Sequence, residues 1–214
     1  MIALTRPVSD SIARCELTHL AREPIDLGRA RRQHAAYERL LEALGCRLVR
    51  LPAEPEMPDA VFVEDAAVVV DEVAVISRPG AEARRRETAS VAAALGRLRH
   101  VERIEAPATL DGGDVLRAGR RIWVGRSGRT NEAGIERLAA LLAPHGYTVT
   151  GVPVTGCLHL KSAVTALGGR RLLVNRAWAP AEAFDGFELV DVDPGEPFAA
   201  NALSVGGPVV YSSA

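Results

Sequence analysis

At 214 residues, with 48% hydrophobic and 25% charged side chains, the chain is long enough to bury a substantial core and too apolar for intrinsic disorder. Its formal net charge of −1 gives no electrostatic case for nucleic acid or an anionic membrane, since both need clustered positive charge. The cysteines Cys15, Cys46 and Cys157 are odd in number and lack CxxC spacing, which argues against a disulfide framework or a zinc site and fits a reducing compartment. In chain order, residues 2–5 read as a short buried strand stopped by Arg6-Pro7, and 9–22 as a loop with a helical turn. Apolar residues at helical spacing predict a helix over 27–44, with Gly45 placed to end it, and then a strand over 46–51. The apolar run 61–75 is interrupted by Glu64, Asp65, Asp71 and Glu72, so it predicts a hairpin rather than a membrane span, and no signal peptide is expected.

From residue 61 onward the pattern repeats. A hairpin over 61–77 is followed by a helix over 81–98 and a strand over 101–104. A second hairpin starts at Asp111 and turns at Ala118-Gly119-Arg120, followed by a helix over 131–142 and a strand over 147–152. A third begins at Leu158, turns at Gly168-Gly169, and continues through a short helix over 180–184 to a strand over 188–192. A fourth hairpin crosses Gly206-Gly207 and runs to the last residue. A period of roughly 40 to 50 residues belongs to radial or solenoid architectures, in which each unit buries its apolar face against its neighbours. The N-terminal segment is one such unit without its first strand, and the last unit lacks a helix and a strand. The expectation is therefore a single α/β domain over 1–214 of radial or solenoid type, with its final strands absent.

Each unit opens with polar groups set in apolar sequence: Asp59, Glu64 and Asp65; Asp111 and Asp114; His159 and Lys161; Asn201. In a ring these starts face one axis, so carboxylates and a histidine converge, an arrangement suited to a cationic substrate and general acid/base chemistry. The structural alternatives are exposed strand ends for Glu64 and Asp65, an acidic turn for 111–114, and a core histidine for His159. Arg84 and Arg129 are candidates for a forked grip on a carboxylate, with a solvated helix start and a loop arginine as the alternatives. Cys157, two residues from His159, would share a strand face with it, although a small buried cysteine is the simpler reading.

The motifs PDAVFVEDAAVV, ISRPGAEARR, ATLDGGDVL, GRSGRTN, LHLKS and AAN together resemble the dimethylarginine dimethylaminohydrolase family of the guanidino-group-modifying superfamily, across essentially the whole chain. The resemblance implies a five-bladed α/β propeller of ββαβ units. It also implies a cytoplasmic hydrolase that converts Nω-methylated arginine to citrulline and a methylamine through a covalent cysteine intermediate. No metal or organic cofactor is implied, the partner is a small-molecule substrate rather than nucleic acid or membrane, and a homodimer is compatible with it. By the same resemblance, His159 matches the general acid/base and Asp111 its acidic partner. Glu64 and Asp65 resemble the acids that hold the guanidinium, and Arg84 and Arg129 the clamp on the substrate carboxylate. Asp59 and the backbone of Leu17 look like contacts to the α-amino group, and Asp114 is expected only to brace its turn. Cys157 does not match the family's nucleophile, which lies in a strand near the C-terminus, so the nucleophile is expected beyond residue 214. An arginine deiminase-like hydrolase and a non-catalytic binder of arginine analogues are the alternative functions.

Overall fold

The structure, a computed structural model, describes residues 1–19 and 21–211. The N-terminal segment runs β1 (Ile2–Thr5), α1 (Leu27–Ala43) and β2 (Arg47–Arg50), with the two strands parallel. Asp26 caps α1 by accepting from the Arg29 N–H, and Gly45 ends it with a φ of 85° that a side chain would resist. Among the described residues, β2 is the one strand that pairs with β1.

Three units follow with one topology, an antiparallel hairpin whose second strand pairs in parallel with a returning strand. The first is β3 (Ala67–Val69), β4 (Val73–Ile76), α2 (Thr88–Leu95) and β5 (His100–Arg103). The second is β6 (Val115–Ala118), β7 (Arg121–Arg126), α3 (Glu132–Leu142) and β8 (Thr148–Pro153). The third opens with a one-turn helix, α4 (Leu160–Ala163), before β9 (Val164–Gly168), β10 (Arg171–Val174), a 3-10 turn at Ala181–Phe184 and β11 (Glu188–Asp191). The hairpin of β12 (Ala202–Ser204) and β13 (Val209–Tyr211) closes the described chain, and the end of its predicted second strand lies outside the described residues. The result is a mixed α/β, propeller-like array of small sheets.

The cores lie between units, as the repeat requires. Leu4 and Leu51 pack with Ala74, Ile76 and Val91 of the first unit, and Val75 of that unit packs with Ile122, Val124 and Leu138 of the second. Trp123 and Val152 of the second unit meet Leu172 and Phe184 of the third. Leu203 and Val205 of the last hairpin pack against Leu41 and Cys46 of the N-terminal segment, which brings the array round on itself. Residues of β3, β6, β9 and β12 line one groove of about 320 Å³, so the first strands of successive units share an axis.

The predicted hairpin starts at 61, 111 and 158 and the predicted helix over 81–98 all differ from the observed elements. The strand expected from residue 61 begins only at Ala67, because Val63–Ala66 forms a 3-10 turn, and the helix expected over 81–98 is a 3-10 segment, Glu82–Glu87, running into α2. Comparable turns, Gly112–Asp114 and α4, precede β6 and β9. The polar starts of these three units are thus helical turns that lift their side chains off the strand pleat. Asn131 ties one of these regions together, accepting from the N–H groups of Gly134 and Thr109 and donating to the Pro107 carbonyl. Asn131→Ala should therefore lower stability by about 1–2 kcal/mol, measured by urea unfolding, through loss of the α3 cap.

Candidate active site

His159 sits immediately before α4, 8% exposed, with its imidazole ringed by three aspartates. Its Nε2 is 3.9 Å from Asp65 Oδ1 and 3.9 Å from Asp111 Oδ2, and its Nδ1 is 3.3 Å from Asp114 Oδ2. The Nε2 approaches are too long for hydrogen bonds and the Nδ1 approach is not aligned for one, so both ring nitrogens are unpartnered among the described residues. Burial alone would lower the imidazole pKa, but Asp114, then Asp65 and Asp111, outweigh it and the net shift is upward.

Asp114 does more than the bracing expected of it. It is fully buried and receives the hydroxyls of Ser127 at 2.6 Å and Thr130 at 2.7 Å on Oδ2 and the Leu160 N–H at 3.1 Å on Oδ1. Those bonds fix the carboxylate against Nδ1 and leave Nε2 facing Asp65 and Asp111. The one sequence signal for this role was the spacing of Asp111 and Asp114 around two glycines. Both glycines are required by close approach: a Cβ on Gly112 would fall 2.1 Å from the Glu64 carbonyl oxygen, and one on Gly113 would fall 2.8 Å from the His159 ring.

Asp111 is also fully buried. Its Oδ1 accepts from the Gly80 N–H at 2.9 Å, while its Oδ2 has no hydrogen-bond partner among the described residues. Burial pushes its pKa up to about 6, against the opposing bond from Gly80. Asp65 behaves oppositely. Burial would raise it, but Arg84 at 2.7 Å, with His159, holds the carboxyl below its usual range. Asp65 Oδ1 also accepts from the Gly113 N–H at 3.0 Å. Glu64, expected beside Asp65 as a second acid, instead turns to the rim and pairs with Lys161, its side chain 61% exposed. With about three residues per 3-10 turn, adjacent side chains diverge by about 120°, so the two acids cannot both face inward.

The groups expected to hold the amino-acid end of a substrate are contiguous. Asp59, 3% exposed, accepts the Glu16 N–H on both oxygens at 3.1 and 3.2 Å. Leu17 follows in the same segment, and Arg129 reaches Thr18 Oγ1 at 3.3 Å and lies 3.9 Å from Asp111 Oδ2. Arg84 is turned inward rather than presented as an open fork: Nε and Nη2 donate to Glu87 at 3.1 and 3.0 Å, Nη1 to Asp65, and Nη2 also to the Asp59 carbonyl. Two buried carboxylates on either side account for that orientation. Cys157 does not share a strand face with His159. Its thiol donates to the His159 carbonyl at 3.3 Å and packs into the core between units, and burial followed by Asp114 pushes its pKa to about 11.

Comparison with known proteins fits this geometry. A family model described as arginine deiminase matches residues 53–164, the span from before Asp59 to beyond His159. The N(G),N(G)-dimethylarginine dimethylaminohydrolase of Pseudomonas aeruginosa is 35% identical over 187 residues, covering 86% of this chain and 74% of the relative. The chain belongs to the dimethylarginine dimethylaminohydrolase family. The Streptomyces coelicolor member of the family is 51% identical over 166 residues, covering 77% of this chain and 64% of that relative, just under two thirds of its length. A solved structure of the Pseudomonas aeruginosa protein, a cysteine-to-serine variant complexed with citrulline, matches with a TM-score of 0.91 at 33% identity, covering 96% of this chain and 81% of that one. Among the described residues no helix is long and apolar enough to cross a membrane.

Two measurements check the electrostatics of this family site. Asp111 has a folded-state pKa raised above its unfolded value of 3.8, so its contribution is lost as pH rises from about 4 through 6. Asp111→Asn should accordingly melt higher than the unaltered protein at pH 8, with the gap closing toward pH 4. Asp114→Asn should lower the His159 pKa followed by NMR titration, since Asp114 is the strongest of the groups raising it.

Proposed function

We propose that the protein hydrolyses Nω-methylated arginine to citrulline and a methylamine, with His159 as general acid/base. The observation that carries this reading is the pair of buried, unsatisfied atoms facing each other 3.9 Å apart, His159 Nε2 and Asp111 Oδ2. Polar atoms left so in an interior call for a ligand that satisfies them. A guanidinium is planar, cationic and rich in N–H donors, and it meets the unpaired oxygen of Asp111 beside the ionised Asp65. Arg129, Asp59 and the backbone of Leu17, with Arg84 behind them, suit the carboxylate and α-amino group of the amino-acid end.

In the reaction a thiolate adds to the guanidinium carbon and the C–N bond to the methylamine breaks. The amine leaves with the proton that His159 carries, a role suited to an imidazole whose pKa is raised by its acidic neighbours. The neutral imidazole then takes a proton from water as it attacks, the C–S bond breaks, and citrulline leaves. None of Cys15, Cys46 and Cys157 suits the attacking thiol: all three are buried, and Cys157 ionises only near 11. The test is citrulline release by the full protein from asymmetric dimethylarginine, with arginine as the comparison substrate. Preferential release from the methylated substrate is expected, and failure to bind or turn over any methylated arginine would sink the reading. His159→Asn should cut kcat by about 10²- to 10⁴-fold while ligand affinity stays within a few-fold.

A further inference from the structure

Arg6, directly after β1, has a fully buried side chain. Its Nη2 donates to Ser90 Oγ at 2.7 Å, but Nε and Nη1 have no partner among the described residues. An idle guanidinium edge in the interior is costly, so its persistence asks for a second state in which it is used. The candidate acceptor is close. Ser90, which also donates to Glu54 at 3.2 Å, lies one helical turn beyond Glu87, and Arg6 is attracted first by Glu54 and then by Glu87. Glu87, 3% exposed, meanwhile gives Oε2 to both Nε and Nη2 of Arg84. An internal carboxylate thus occupies the edge of Arg84 that would read a ligand carboxylate, while the cation beside that carboxylate stands idle.

We infer that Arg6 and Glu87 form a hand-over pair: when the α-carboxylate of an amino-acid ligand takes the Nε–Nη2 edge of Arg84, Glu87 turns to the open Nε and Nη1 of Arg6. In both states Arg84 and Glu87 each keep a charged partner, which is what allows Arg84 to sit 4% exposed without ligand and still serve as a clamp. The Nη1 contact to Asp65 at 2.7 Å persists through the exchange, so the guanidinium-holding acid stays ionised. Arg6 and Glu87 are positioning residues that act through Arg84. The inference rests on the reading of Arg84 as part of the carboxylate clamp.

The discriminating experiment is calorimetric binding of L-citrulline and of N-methylguanidine, which has no carboxylate. Arg6→Met, which removes the receiving cation while filling its volume, should weaken L-citrulline about tenfold or more and change N-methylguanidine by less than about twofold. Glu87→Gln removes the competing charge and should bind L-citrulline as tightly as the unaltered protein or tighter. The double variant Arg6→Met/Glu87→Gln should recover to within about threefold of the unaltered protein, because no buried carboxylate is left stranded. Arg6→Lys, which keeps a buried cation, should recover most of the affinity and supplies the comparison if Arg6→Met does not fold. Equal weakening of both ligands, a double variant no better than Arg6→Met, or Arg6→Lys losing tenfold would overturn the hand-over. In each of those cases the functional reading would stand. No binding of either ligand by the unaltered protein would remove the functional reading itself and the hand-over with it.

Discussion

Two buried carboxylates each reach out of their own repeat to a backbone N–H of the next, Asp65 to Gly113 and Asp114 to Leu160. Thr165 makes a related reach, its hydroxyl donating to the carbonyl of Ala200 in the last hairpin segment. These contacts hold the ends of the inner strands in register, a task that apolar packing between units cannot do because it is not directional. The same atoms surround His159. Architecture and chemistry are therefore carried by one set of bonds, and Asp114 cannot be altered for one purpose without touching the other.

The electrostatic consequence is a site in which two of the three carboxyls within 4 Å of one imidazole are pushed in opposite directions. Asp65 is kept ionised by a guanidinium, Asp111 is pushed toward neutrality by burial, and Asp114 is fixed by two hydroxyls and an N–H. Separating like groups in this way is how a protein assigns binding and proton-transfer roles near neutral pH. Among the described residues it also leaves Asp111 Oδ2 and the imidazole nitrogens without partners, a cost the ligand-free fold bears and the surrounding packing sustains.

Much of this was legible in the sequence, for identifiable reasons. The helices at 27–43 and 132–142 are legible through apolar spacing, the first also through Gly45 at its end, whereas the caps Asp26 and Asn131 are structural findings. The repeat was visible because each unit must present the same apolar pattern to its neighbour. The segment 61–66 carries apolar residues that suit strand or turn alike, and its 3-10 turn is held by a long-range bond from Gly113 to Asp65. Glu64 and Asp65 looked equivalent side by side, and only the 3-10 turn separates a buried acid from a rim acid. The inward turn of Arg84 and the anchoring of Asp114 depend on partners 3 to 46 residues away in sequence, which no local pattern encodes.

The pairing of Glu64 with Lys161 at the rim has a further consequence for the chemical individuality of the molecule. Its other strong cations are arginines, whose guanidinium groups stay protonated and unreactive toward amine-directed reagents. Lys161 is thus the sole side-chain amine in the chain, and its 23% exposed ammonium stands two residues from His159. Within these 214 residues, acylation or reductive methylation of a side-chain amine has this one address. A surface chemistry that is diffuse on most proteins is focused here at the mouth of the site.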